Sequence, residues 1–93
     1  MQIFRMSVED IFQLADGKTA FTGKIDPPEL ALIGPCDCEI VLNNKVKASI
    51  RIDGEMILEK TEKNACRAIS TSQPIDPARI GVGRGGFTIR SKA

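Results

Sequence analysis

VEDIFQLADGKTAFTGKI, residues 8–25, is the stretch that decides the fold. Through it and just upstream, the even-numbered Phe4, Met6, Val8, Phe12 and Leu14 are apolar, and only Asp10 breaks the series. Arg5, Ser7, Glu9 and Gln13 between them are polar. A period of two is that of a half-buried strand, because successive side chains point to opposite faces. Asp16-Gly17-Lys18 supplies a turn, since glycine reaches positive φ without a steric cost. Thr19, Phe21 and Ile25 resume in residue types that suit a pleated surface. Gly23 inside that run predicts a bulge or the close approach of another backbone, and a bulge helps a sheet to curl. Residues 3–14 and 19–25 are therefore expected to pair as a hairpin.

Outward from the hairpin, residues 26–29 contain two prolines and read as a loop, because neither proline has an N–H for a ladder. Residues 30–33 form a short apolar patch, punctuated by Gly34-Pro35. Cys36, Cys38, Ile40 and Leu42 then alternate with Asp37, Glu39 and Val41. After Asn43-Asn44-Lys45, Val46, Ala48, Ile50 and Ile52 alternate with Lys47, Ser49, Arg51 and Asp53. This is a second hairpin on an asparagine turn, and its eight apolar residues are expected to face one core. Its polar faces are acidic on one strand and basic on the other, which suits cross-strand pairing. Residues 56–58 are expected as a strand followed by a charged loop, and residues 65–71 as another strand. A turn-rich connection runs between Pro74 and Pro77, a glycine-dense turn covers 81–86, and Phe87 and Ile89 mark the closing strand. Six or seven short strands with no helix mean an all-β barrel or sandwich, as a single domain over residues 1–93.

With 93 residues the chain can build only a small core. Tryptophan and tyrosine are absent and phenylalanine occurs four times, which argues against a stacking platform for single-stranded nucleic acid. A net charge of +1 gives no global attraction to nucleic acid or anionic membranes. No apolar run is long enough to span a bilayer and no signal-peptide pattern opens the chain. The three cysteines, an odd number without a regular framework, fit a reducing compartment. A cytoplasmic protein without a membrane partner is expected.

Chemistry-bearing patterns are sparse. Cys36-x-Cys38 has only Cys66 and no histidine to join it, so a four-ligand zinc site cannot be filled and the thiols are expected as small buried hydrophobes. Gly81, Gly83 and Gly86 satisfy G-x-G-x-x-G, yet a dinucleotide site needs a βαβ unit and only seven residues follow. A turn is the better reading, and no nucleotide is expected. Without histidine or a serine elbow no catalytic residue stands out, and neither an enzyme nor a cofactor is expected. Arg79, Arg84, Arg90 and Lys92 make the end of the chain basic; they form either a phosphate-contacting patch or a solvated face.

FRMSVEDIF, residues 4–12, followed by Gly17-x-Thr19-x-x-Thr22-Gly23-x-Ile25, resembles the opening of the second domain of elongation factor Tu and related translational GTPases. That family begins the domain with VEDVF, a glycine turn and GTVVTGRV. Cys38-Glu39-Ile40-Val41 is similar to its VEIV strand, Glu55-Met56 to its EM pair, and Arg84-Gly85-Gly86-Phe87 to its RG-x-V run. The resemblance is strongest over the first 25 residues and weakest over 42–80. It departs at Ser7, where the family has proline, and no G-x-x-x-x-G-K-[ST] loop occurs in the sequence. What it implies is a closed or nearly closed antiparallel barrel acting as a non-catalytic binding module for RNA or a translation-associated protein. In the family, the positions matching Glu9, Asp10, Phe12 and Thr22 line the pocket for the aminoacylated 3′ end of tRNA. The residues themselves leave a second reading of Asp10, as a carboxylate held by backbone at a strand irregularity. They also leave a second role for the module, assembly through exposed sheet edges, and they do not fix its oligomeric state.

Overall fold

The backbone of β1 (Arg5–Gln13) does not keep one phase along its length. In the computed structural model, which describes residues 3–27, 30–56, 67–83 and 85–92, β1 pairs with β2 (Thr19–Asp26) through Val8↔Gly23 and then Asp10↔Thr22. Glu9 is the extra residue of a bulge. Phe4, Met6 and Val8 are buried before it, and beyond it Ile11 is buried while Phe12 is 45% exposed. The even-numbered apolar series thus holds only as far as Val8, because one inserted residue exchanges the two faces.

The same event occurs in the second hairpin. β3 (Cys36–Leu42) pairs with β4 (Lys45–Ile52) through Ile40↔Ala48 and then Val41↔Val46, so Lys47 is the inserted residue. Cys38, Ile40, Ile50 and Ile52 are buried, and Cys36, Leu42 and Ala48 pack against them in part. Val46 departs from the expected set: beyond the bulge it shares the outer face with Val41 and is 48% exposed. Asn43 and Asn44 turn the chain with φ of 52° and 65°, so the turn is two residues long and Lys45 already belongs to β4. Asp37 meets Arg51 at 3.2 Å on the surface, whereas Glu39 lies opposite Ser49 and takes its charge partner, Arg90, from another strand.

The remaining elements are β5 (Gly54–Met56), β6 (Arg67–Thr71), α1 (Pro77–Ile80) and β7 (Phe87–Ser91). All pairings are antiparallel, in one seven-stranded sheet of order β4-β3-β7-β1-β2-β6-β5. The sheet is not closed by a ladder between its outer strands. The helix was not expected. Asp76 caps it, its Oδ1 accepting from the Ala78 N–H at 3.2 Å; Pro77 opens it and Gly81 ends it in the left-handed region. The expected strand at 56–58 and the charged loop after it lie largely outside the described residues.

One face of the sheet carries the core, with Phe21, Met6, Ile40, Ile52, Ile69 and Ile89 fully buried and the Phe21 and Phe87 rings edge to face at 6.3 Å. Burial of each such side chain contributes about 1.5–3 kcal/mol. Of the apolar patch at 30–33, Ile33 joins this core, while Leu32 is 62% exposed. Two glycines permit the close approaches that the core needs. A Cβ at Gly23 would lie 2.0 Å from the Ser7 carbonyl oxygen, and one at Gly85 would lie 2.4 Å from that of Glu9. The bulge is therefore gripped from both neighbouring segments.

An ion pair fastens the other side of the sheet. Arg67 on β6 donates to both oxygens of Glu55 on β5, through Nε to Oε2 at 2.7 Å and through Nη2 to Oε1. Glu55 Oε1 also accepts from the Ile33 N–H at 3.1 Å, and Arg67 Nη2 donates to the Ala31 carbonyl at 3.1 Å. Burial alone would raise the Glu55 pKa, but the hydrogen bonds from Arg67 and Ile33 and the guanidinium charge outweigh it and hold the carboxyl below its ordinary value. Such a depressed carboxylate contributes stability that is complete above its unfolded pKa and is lost as pH falls through its folded one.

Two measurements check this framework. Gly23→Ala is expected to cost about 3 kcal/mol or more by urea denaturation, because backbone must move to admit the methyl. Gly34→Ala, with nothing within 4 Å of the added Cβ, is expected to shift stability by less than about 1 kcal/mol. Glu55→Gln is expected to lose about 2 kcal/mol at neutral pH, with the gap to the native protein narrowing as pH falls through the folded Glu55 pKa.

Candidate functional site

The bulge sets the geometry of the four residues that the hairpin motif singles out. Asp10 and Thr22 stand opposite one another as the first pair beyond it. Phe12 follows two residues later on the same outer face, opposite Ala20. Glu9 occupies the bulge itself and is exposed. Two consecutive carboxylates on a regular strand would project to opposite faces; the inserted residue removes that restriction. The Asp10 carboxylate is engaged locally, its Oδ1 accepting from the Ile11 N–H at 2.8 Å.

Phe12 also walls a hollow of about 450 Å³ between the end of β1 and α1, with Ile11, Gln13, Asp76, Pro77 and Ala78. The face thus offers carboxylates, a hydroxyl and a half-exposed aromatic ring beside an apolar recess. This chemistry accepts hydrogen bonds and provides a stacking surface.

Among the described basic residues of the C-terminal region, Arg79 and Arg90 border different hollows: Arg79 on α1 shares one with Ala48, Gln73 and Ile75, and Arg90 on β7 shares another with Arg5. Lys92 is exposed, its N–H donating to the Asp37 carbonyl at 3.0 Å. Arg84 lies outside the described residues. Arg5 was not singled out by the sequence, since its neighbour Arg90 is 85 positions away and only the β1–β7 register brings them together.

Cys36 and Cys38 share the inward phase of β3 with their sulfurs 3.6 Å apart. Burial, with the Cys36 thiol and Asp37 alongside, pushes the Cys38 pKa well above the usual thiol range, which leaves it a poor nucleophile. Among the described residues no group of three or more cysteine, aspartate or glutamate side chains is placed to hold a metal ion, and no helix is long and apolar enough to cross a membrane. Comparison with protein-family models, curated proteins and solved structures gives no match to this chain.

The local bond of Asp10 defines an expected outcome. Asp10→Ala should lower stability by about 1.5–3 kcal/mol, the scale of one hydrogen bond to a charged group. Phe12→Ala, acting on a half-exposed ring, should cost about 1 kcal/mol or less. Urea midpoints of the two variants check both.

Proposed function

We propose that this chain is a non-catalytic binding module of the kind found as the second domain of translational GTPases, contacting RNA or a translation-associated protein. The observation that carries this reading is the bulge at Glu9, which sets Asp10 and Phe12 on the outer face beside Thr22. The low aromatic content still argues against an extended stacking platform, but the single half-exposed Phe12 ring next to carboxylate and hydroxyl acceptors is suited to one nucleotide, with its base against the ring and its sugar hydroxyls on the acceptors. A cytoplasmic setting with reduced cysteines belongs to the same reading.

We further propose that the sheet functions as a barrel with its seam between β4 and β6. Three hydrogen bonds support this: the Thr71 Oγ1 donates to the Arg51 carbonyl at 2.6 Å, the Arg51 N–H to Gln73 Oε1 at 3.1 Å, and the Asp53 N–H to the Ser70 carbonyl at 2.8 Å. The outer strands β4 and β5 are also consecutive in the chain, separated by Asp53 alone.

A second reading, assembly through a sheet edge, is favoured by the exposed Val46 on the outer strand β4. Lys45 and Lys47 flank that valine, and edge lysines discourage strand addition, which keeps this reading second.

Fluorescence anisotropy with a labelled single-stranded RNA, across a salt series, tests the proposal. Binding through this face, whose named polar groups are carboxylates and a hydroxyl, should release few counterions and so depend only weakly on salt, and Phe12→Ala should weaken it about tenfold, the scale of one base–aromatic stack. A protein from the translation apparatus retained after RNase treatment, with no RNA binding by the isolated chain, would assign the protein partner. Self-association alone, with neither partner retained, would favour the assembly reading.

A further inference from the structure

At the opposite end of β1 from Asp10, Arg5 stands directly across from Arg90 on β7. Their inward neighbours Met6 and Ile89 are fully buried, so both arginines lie on the outer face. Like charges directly opposite on paired strands repel. The row continues to Glu39 beyond Arg90 and to Asp26 beyond Arg5, yet neutralisation is uneven. Arg90 donates from Nε to Glu39 Oε1 at 3.2 Å and remains 43% exposed, which uses one of its five N–H donors. The Arg5 guanidinium forms no hydrogen bond or ion pair among the described residues.

Both arginines border one hollow of about 390 Å³, together with Thr88, Asn43, Asn44 and Gly86. The asparagines reach it because they form the β3–β4 turn, and β3 is the neighbour of β7. The residues bordering the hollow thus include two arginines, a threonine and two asparagines. Among the described residues, no aspartate or glutamate borders it. Guanidinium groups match tetrahedral oxyanions through paired N–H bonds, and a doubly charged group relieves the repulsion between two adjacent cations.

We propose that this hollow is a binding site for a phosphoryl group, carried either by a small phosphorylated molecule or by an RNA strand. The site is separate from the Asp10–Phe12–Thr22 face and does not depend on the function proposed for that face.

The test is a titration of the isotopically labelled protein with inorganic phosphate, followed by amide NMR against sodium chloride of matched ionic strength. The amides of Asn43, Asn44, Gly86 and Thr88 should shift with phosphate and not with chloride, while those of Asp10, Phe12 and Thr22 stay in place. Arg5→Gln, at an exposed position without a partner side chain, should keep the fold and weaken phosphate binding about tenfold, the scale of one hydrogen-bonded charge. Asn43→Gly is the second variant; it suits the positive φ of the turn and should weaken binding less. A separate titration with single-stranded RNA lacking terminal phosphates distinguishes the sources. Shifts at the same four amides, weakened by Arg5→Gln, assign the RNA backbone, and their absence with phosphate binding retained assigns a small phosphorylated ligand. Equal shifts with phosphate and chloride, or unchanged phosphate affinity in Arg5→Gln, would overturn the proposal.

Discussion

Two glycines packed closely against the β1 bulge hold β1, β2 and the approach to β7 together. Gly23 brings β2 against the Ser7 carbonyl, and Gly85 brings the approach to β7 against that of Glu9. A methyl at either position would overlap backbone rather than the end of a flexible side chain. Backbone in a paired ladder cannot yield locally, because its N–H and C=O groups are already committed. The Gly86 N–H completes the arrangement by donating to the Val8 carbonyl at 2.9 Å. Three segments distant in sequence are thus joined at one point, and the registers of β1 with β2 and with β7 follow from it.

That junction links the interior to the surface. Before the bulge, β1 sends Met6 and Val8 inward; beyond it the inward residue is Ile11. The same shift that keeps the core filled turns Asp10 and Phe12 outward, so the candidate face is a consequence of how the core is completed. Asp10 then ties its carboxylate to the Ile11 N–H, at the first inward residue after the irregularity. A group that supports the strand and a group that faces a ligand are compatible roles for one carboxylate, since it has two oxygens and several lone pairs.

That Asp10, Phe12 and Thr22 share one side of the hairpin was legible in the motif, because these residues are close in sequence and pair across one turn; that this side faces out was not. Asp10 opposite Thr22, with Phe12 beside them, needed only a hairpin whose register respects Gly23. The Arg5–Arg90 pair was not legible. Nothing local marks Arg5 as different from any other polar strand residue, and its neighbour is set by a pairing between the two ends of the chain. Arg79 and Arg90 illustrate the converse: closeness in sequence does not bring them to one hollow.

The all-β class and both hairpins were readable from residue order alone, because alternation, β-branched content and turn residues act within a few positions of one another. The second turn, however, is one residue shorter than the Asn43-Asn44-Lys45 run that marked it. Residue order also marked Gly23 as the place where backbone would come close. It did not determine the phases beyond Glu9 and Lys47, since a bulge inserts one residue without changing the composition that alternation relies on. Hence Phe12 and Val46, apolar and apparently inward, face out. The short α1, with its Asp76 cap and Pro77 start, carried local signals that the surrounding prolines obscured. The strand order and the engagement of Glu55 and Arg67 with each other and with Ile33 and Ala31 came from packing between distant segments. These depend on contacts across tens of residues, where chain entropy allows many pairings and the packing of a shared core selects one.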